Sequence, residues 1–199
     1  IFKIGYTMSS ELEIKRGSDT LVVSFGGSSL KFAHIPPFEF LNFISKNFTD
    51  VDCSFYIDKH KCFYTKGIDG ISKDEDETIE YLKDKIKGYK KVIFLGISAG
   101  GYAALLFGSK LNVNKVLVWG APTLLEQGKD KDLVPVINDT TQYFMRSLRS
   151  TMEIHSTEFT KRIEALNKPN VSVNYNKEKP KEMRSDGRLF KVLNEIING

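Results

Sequence analysis

The chain of 199 residues contains few of the residues that build cross-linked or metal-bound proteins. It has two cysteines, Cys53 and Cys62, and three histidines, without the spacing of a disulfide scaffold or a metal motif. Cys53 lies within an apolar run, which predicts a small core residue, whereas Cys62 lies in a predicted loop as a free thiol. We therefore expect no metal ion, and unpaired cysteines favour a cytoplasmic location.

The sequence also lacks the signals of several function classes. No apolar run reaches the roughly 18 residues of a membrane span, so no membrane partner is expected. Its 29 basic and 25 acidic residues are scattered and give a net charge of +4, which does not predict nucleic-acid binding. Phosphate-binding and dinucleotide-binding glycine patterns are absent as well, so we expect no cofactor.

Short apolar runs rich in valine, isoleucine and phenylalanine predict seven strands. The first two are close together and predict an N-terminal antiparallel hairpin, whereas the continuous later runs are typical of a buried parallel sheet. The predicted strands are Phe2–Tyr6, Leu12–Lys15, Leu21–Phe25, Val51–Ile57, Val92–Leu95, Val116–Trp119 and Val171–Tyr175.

Helical patterns separate the later strands and predict a three-layer α/β/α sandwich with a mostly parallel sheet. We expect residues 1–199 to form one domain, with 122–156 as an insertion over the carboxyl ends of the strands, where ligands bind in such folds. The acidic stretch from Lys73 to Glu80 predicts a loop entering a helix. The predicted helices are Phe38–Phe48, Thr78–Ile86, Gly101–Leu111, Phe159–Leu166 and Leu189–Ile197.

The segment Gly96-Ile-Ser-Ala-Gly-Gly101 stands between a predicted strand and a predicted helix. A sharp turn at this point would lift the hydroxyl of Ser98 out of the sheet, and the small neighbours would relieve crowding around it. The amino end of the following helix would offer the N–H of Ala99 to a developing oxyanion. The glycines of Phe25-Gly-Gly27, after an earlier strand, would supply a second donor from Gly26 or Gly27.

These motifs resemble the α/β-hydrolase superfamily, and more loosely the hydrolase-like modules of bacterial and viral glycan- or capsule-related proteins. The looser resemblance includes Tyr64-x-x-Gly67 and Ala121-Pro122. The first resemblance implies an α/β-hydrolase fold and an acid after the strand at Val171, a place that Asp186 occupies. Asp186 also fits a second role, as the N-cap of the helix at Leu189, and the same polar loop offers other carboxylates, among them Glu178 and Glu182.

The resemblance further implies a histidine after a last strand, whereas the three histidines here are His34, His60 and His155. Two of them stay open as alternative bases: His155, which would reach over the site from the insertion, and His34, near the predicted oxyanion side. We expect the natural chain to continue beyond Gly199 with that strand and a glycine-histidine loop. Two functions stay open. One is a serine hydrolase or acyltransferase that cleaves a small or glycan-linked ester through an acyl-enzyme at Ser98. The other is a non-catalytic module of the same fold that binds a glycan or a partner protein.

Overall fold

The structure is a computed structural model that describes residues 9–28, 38–119, 121, 172–176 and 187–199. Six strands and four helices lie within these residues, so most of the predicted elements are confirmed. The strands are β1 (Glu11–Ile14), β2 (Thr20–Phe25), β3 (Asp52–Tyr56), β4 (Lys91–Ile97), β5 (Lys115–Trp119) and β6 (Ser172–Asn176). The helices are α1 (Leu41–Asn47), α2 (Glu75–Ile86), α3 (Ala99–Leu111) and α4 (Arg188–Asn198).

The strands form one mixed sheet in the order β1-β3-β2-β4-β5-β6. Strands β2 to β6 run parallel, and β1 is antiparallel to β3. The predicted partner of β1 in a hairpin, Phe2–Tyr6, lies outside the described residues. In the register, Phe25 of β2 lies opposite Gly96 of β4, and Ile97 lies opposite Trp119 of β5. The segments that follow β2, β4 and β5 therefore leave the sheet side by side at its carboxyl edge.

Both faces of the central strands are buried, which confirms the three-layer prediction. Successive side chains of a strand point to opposite faces, so the apolar runs supply two cores. Phe25, Phe94 and Val118 pack towards α2 and α3, whereas Ile93 and Trp119 pack in the core that contains residues of α1 and α4. Trp119 is 1% exposed, as predicted for a core residue.

Helix α2 begins at Glu75, three residues before the predicted start at Thr78, because Asp74 acts as its N-cap. The Asp74 carboxylate accepts a hydrogen bond from the backbone N–H of Glu77 at 2.8 Å. Such a cap satisfies one of the free N–H groups at the helix start. The prediction that the acidic stretch enters a helix is thus confirmed.

Two other helix starts differ from the sequence prediction. Helix α1 begins at Leu41 rather than Phe38, because Phe40 adopts a left-handed conformation with φ of 65°. The ring of Phe40 packs on Trp119 with centroids 5.0 Å apart. Helix α3 begins at Ala99, directly after the predicted nucleophile.

None of the described helices is long and apolar enough to cross a bilayer. The predicted helix Phe159–Leu166 and the insertion 122–156 lie outside the described residues.

A half-buried carboxyl group lies at the start of α2. The Oε1 atom of Glu75 is buried, and no described residue hydrogen-bonds to it. Burial raises the pKa of Glu75 to about 7, with Asp74 and Asp76 adding to the shift and Lys110 opposing it. Burial therefore outweighs the favourable position of a carboxylate in the first turn of a helix.

Thermal stability is expected to fall as the pH rises through about 7, because the half-buried carboxyl group of Glu75 must then ionise. The raised pKa means that the folded state binds this proton more tightly than the unfolded chain, whose reference pKa is 4.5. The stabilising contribution of the protonated Glu75 carboxyl group is fully present below pH 4.5 and is lost as the pH rises through the folded-state pKa of about 7. Glu75→Gln should therefore melt at a higher temperature than the wild type at about pH 8 and at a similar one at about pH 4.

The matched control is Glu80→Gln, which removes an exposed carboxylate from the same helix. Melting curves of the wild type and both variants across this pH range would test the assignment. Parallel wild-type and Glu75→Gln curves would contradict it.

Candidate active site

Ser98 occupies a strained turn between β4 and α3. Its backbone has φ of 52° and ψ of −121°, a conformation that is unfavourable for a residue with a Cβ atom. Two backbone hydrogen bonds hold it: the Ser98 N–H donates to the carbonyl of Trp119 at 2.9 Å, and the Ser98 carbonyl accepts from the N–H of Tyr102 at 3.1 Å. The side chain makes no capping hydrogen bond and is half-buried. The hydroxyl is therefore not used by the helix start.

The glycines around Ser98 are required by close backbone contacts. A Cβ atom on Gly96 would collide with the carbonyl of Gly100, within the turn itself. One on Gly100 would collide with the carbonyl of Phe25 and lie 2.7 Å from the carbonyl oxygen of Gly26. The first turn of α3 thus rests directly on the end of β2, and only a residue without a side chain fits between them.

The Phe25-Gly-Gly27 segment lies beside Ser98, which brings the two predicted halves of the site together. A Cβ atom on Gly27 would be 3.6 Å from the Cβ of Ser98 and 3.1 Å from the carbonyl oxygen of Ile97. The predicted donors differ in their availability. The N–H of Gly26 donates to the carbonyl of Tyr56 at 2.9 Å. The N–H of Ala99 is the first of α3, which has no acceptor within its own helix.

Tyr64, in the loop after β3, holds this glycine segment from the other side. Its single hydroxyl hydrogen is shared between two carbonyl acceptors, that of Gly26 at 2.9 Å, which is the shorter contact, and that of Tyr56 at 3.2 Å. The side chain is fully buried, with its ring edge-on to Phe25 at 5.5 Å between centroids. In the sequence, Tyr64 stood out only as part of the motif Tyr64-x-x-Gly67. The contact of its hydroxyl was not predicted, because no local pattern reveals what a tyrosine hydroxyl will contact.

The structure describes few of the remaining predicted site residues. Asp186, His34 and His155 lie outside the described residues, so their roles stay predictions. The N-cap of α4 is Gly187, the residue after Asp186. His60 is exposed in the turn after β3. Among the residues that the structure describes, no three histidine, cysteine, aspartate or glutamate side chains are grouped to hold a metal ion.

Neither cysteine offers an alternative nucleophile. Cys53 is fully buried in the core, as predicted, and burial raises the pKa of its thiol to about 11. Cys62 is also buried, and burial raises its thiol pKa too. Because the thiolate is the reactive form, both groups are poor nucleophiles near neutral pH.

Comparison with known proteins identifies the fold. No protein-family profile and no curated protein sequence matches the chain. Among solved structures, the capsule O-acetyltransferase of Neisseria meningitidis serogroup A is similar with a TM-score of 0.58 at 12% identity, over 96% of this chain and 93% of that one. Its H228A mutant in complex with CoA gives a TM-score of 0.57 at 12% identity, over 94% and 92%.

A fluorophosphonate-binding serine hydrolase of Staphylococcus aureus, FphF, is less similar. It gives a TM-score of 0.43 at 13% identity over 88% of this chain and 78% of that one. The mixed sheet, its flanking helices and the match to the capsule enzyme over more than nine-tenths of each chain agree with the resemblance predicted from the sequence motifs. The chain has an α/β-hydrolase-like fold.

Proposed function

We propose that this protein is a serine-dependent acyl-transfer enzyme that forms an acyl-enzyme at Ser98. The observation that carries the proposal is the strained, half-buried Ser98 at the amino end of α3, with Gly27 beside it. A positive φ at a non-glycine residue is costly and is retained where the surrounding structure imposes it, as at active sites. Positive φ alone is not distinctive, because Phe40 at the start of α1 also has it, but the ψ of −121° at Ser98 lies outside the left-handed region that Phe40 occupies.

In the proposed reaction, the Ser98 Oγ attacks the carbonyl carbon of an ester or thioester, and its proton passes to a general base. The carbonyl oxygen becomes an oxyanion stabilised by the N–H groups of Gly27 and Ala99. The carbon–oxygen or carbon–sulfur bond then breaks, and the leaving group takes the proton. Water or a hydroxyl group of an acceptor finally removes the acyl group from Ser98.

The general base and its supporting acid belong to the part of the proposal that rests on the family resemblance. We assign the acid to Asp186 and the base to a histidine outside the described residues. His60 is the described histidine, and its exposed position in the β3 turn does not favour a buried catalytic role.

Similarity to a capsule O-acetyltransferase supports an acetyl or other small acyl group as the transferred unit and a glycan hydroxyl as the acceptor. The CoA complex of that enzyme supports a CoA thioester as the acyl donor. Acetyl-CoA and p-nitrophenyl acetate therefore make a useful pair of substrates. Thiol release from acetyl-CoA that increases with added oligosaccharide would favour a transferase, whereas acceptor-independent hydrolysis of either substrate would favour a hydrolase.

A fluorophosphonate probe tests the nucleophile itself. The full chain is expected to gain one probe mass, located by peptide mass spectrometry at Ser98, and Ser98→Ala should not react. Ser109→Ala is the matched control, because Ser109 is a buried serine of the same helix and should not affect labelling. A natively folded full-length chain that does not react at Ser98 would contradict the proposal and favour the non-catalytic binding module.

A further inference from the structure

The peptide between Gly26 and Gly27 is fixed from outside the sheet. The last β2–β4 residue pair joins Phe25 to Gly96, so the ladder between these strands ends before the glycines. Glycine has the largest backbone freedom of any residue, and two in succession would leave the orientation of this peptide open. A hydrogen bond from the buried hydroxyl of Tyr64 to the Gly26 carbonyl, 2.9 Å long, restricts it.

Holding the Gly26 carbonyl also sets the direction of the next N–H. In a planar trans peptide, the carbonyl of one residue and the N–H of the following residue point in opposite directions. No cis peptide is present among the described residues. With the Gly26 carbonyl directed to Tyr64, the N–H of Gly27 points away from Tyr64.

Tyr64 is itself held firmly enough to act as a support. It has φ of 63°, and the N–H of Tyr64 donates to Oδ2 of the buried Asp58 at 3.2 Å. Lys61 and Phe63 in the same turn also have positive φ values, 54° and 61°. Backbone N–H groups of residues 61–64 interact with the Asp58 carboxyl, and its own burial raises its pKa. The turn is thus organised around one buried side chain.

The hydroxyl of Tyr64 remains a donor under all ordinary conditions. Complete burial raises the pKa of Tyr64 well above its usual value, so the phenol does not ionise. Its second contact, with the carbonyl of Tyr56 at 3.2 Å, uses the same acceptor as the N–H of Gly26. The N–H of Gly26, through the Tyr56 carbonyl, and the carbonyl of Gly26, through the Tyr64 hydroxyl, are therefore both fixed relative to the end of β3.

We infer that Tyr64 is a positioning residue: its hydroxyl orients the Gly26–Gly27 peptide so that the Gly27 N–H serves as an oxyanion donor beside Ser98. This inference rests on the proposed function for its catalytic consequence. Its structural part, the orientation of the peptide by the hydroxyl, can be tested without any activity.

The test is Tyr64→Phe, which removes the hydroxyl and keeps the ring on Phe25. Removing an oxyanion donor outright typically costs 10²- to 10³-fold in kcat. Because the donor here is only misdirected, we expect about a 10- to 100-fold loss in kcat and a change in KM of less than about twofold. The affinity for a boronic acid that forms a tetrahedral adduct with Ser98 should fall in parallel with kcat.

The matched control is Tyr89→Phe, which removes a hydroxyl bonded to Asp52 at 2.7 Å near the amino edge of the sheet. It should leave kcat, KM and boronic acid affinity unchanged. Any general effect of losing a tyrosine hydroxyl on stability would appear in the melting temperatures of both variants.

Crystal structures of the wild type and Tyr64→Phe separate this inference from the proposed function. A rotated or displaced Gly26–Gly27 peptide together with the kcat loss would support the inference. An unmoved peptide would overturn it, and so would a moved peptide with unchanged kcat. If the wild type neither reacts with fluorophosphonate nor turns over an ester, the proposed function fails, and the peptide position alone then decides the structural part.

Discussion

Replacing Ser98 with alanine is expected to lower the rate of acyl transfer or ester hydrolysis by at least about a thousandfold. The substitution removes the only atom that would bond to the acyl group, and neither cysteine offers a reactive thiolate in its place. Folding should be unaffected, because the Ser98 side chain makes no capping hydrogen bond and alanine keeps the same Cβ atom in the strained turn. The loss should therefore appear in kcat while the melting curve stays in place.

Initial rates with acetyl-CoA and p-nitrophenyl acetate, together with circular dichroism melting curves, would measure both quantities. Ser109→Ala again serves as the matched control and should keep the wild-type rate. A Ser98→Ala variant that retained more than about a tenth of the activity would show that another group forms the covalent bond.

Replacing Gly100 with alanine should have the largest effect on stability. The new methyl group would collide with the carbonyl of Phe25 and come within 2.7 Å of the carbonyl oxygen of Gly26, and neither backbone group can move without separating α3 from β2. Overpacking of this kind costs about 3 kcal/mol when backbone must shift. The gain in helix propensity from glycine to alanine is at most about 1 kcal/mol and does not offset it.

We therefore expect Gly100→Ala to melt roughly 4–8 °C below the wild type and to lose fluorophosphonate labelling at Ser98. The matched control is Gly88→Ala, where an added Cβ would meet no atom within 4 Å but the backbone has φ of 90°. That variant should lose only about 1 kcal/mol and keep its reactivity. Equal melting temperatures for the two variants would contradict the contact between α3 and β2.

The sequence predicted the sheet well because the central strands are buried on both faces. Continuous apolar runs such as Val92–Leu95 have few alternatives to a central strand, and the structure places β4 there with two residues more at the carboxyl end. Helix starts were harder to predict. Phe40 takes a left-handed conformation that its residue type disfavours, and its ring is buried in the core against Trp119, a tertiary contact that no local pattern predicts.

The candidate site was predictable to the extent that it follows from glycine positions. Gly96 and Gly100 are required by local crowding, and their spacing around Ser98 is visible in the sequence. The role of Tyr64 was not visible, because it depends on a hydroxyl that reaches a carbonyl 38 positions away along the chain. The sequence did not show which N–H groups are free to act as oxyanion donors, for the same reason. The Gly26 N–H already donates to the carbonyl of Tyr56, a residue of another strand.

The contact between Gly100 and the end of β2 links the chemistry of Ser98 to the cohesion of the whole sheet. Ser98 follows β4, whereas Gly26 and Gly27 follow β2, about 70 positions earlier in the chain. These residues meet only when β2 and β4 pair. Local opening of the helix start would separate them before the rest of the molecule unfolds. A covalent probe of Ser98 would consequently report on the assembly of two central strands as well as on catalysis. In a series of denaturant concentrations, the protein would stop reacting no later than it loses its sheet.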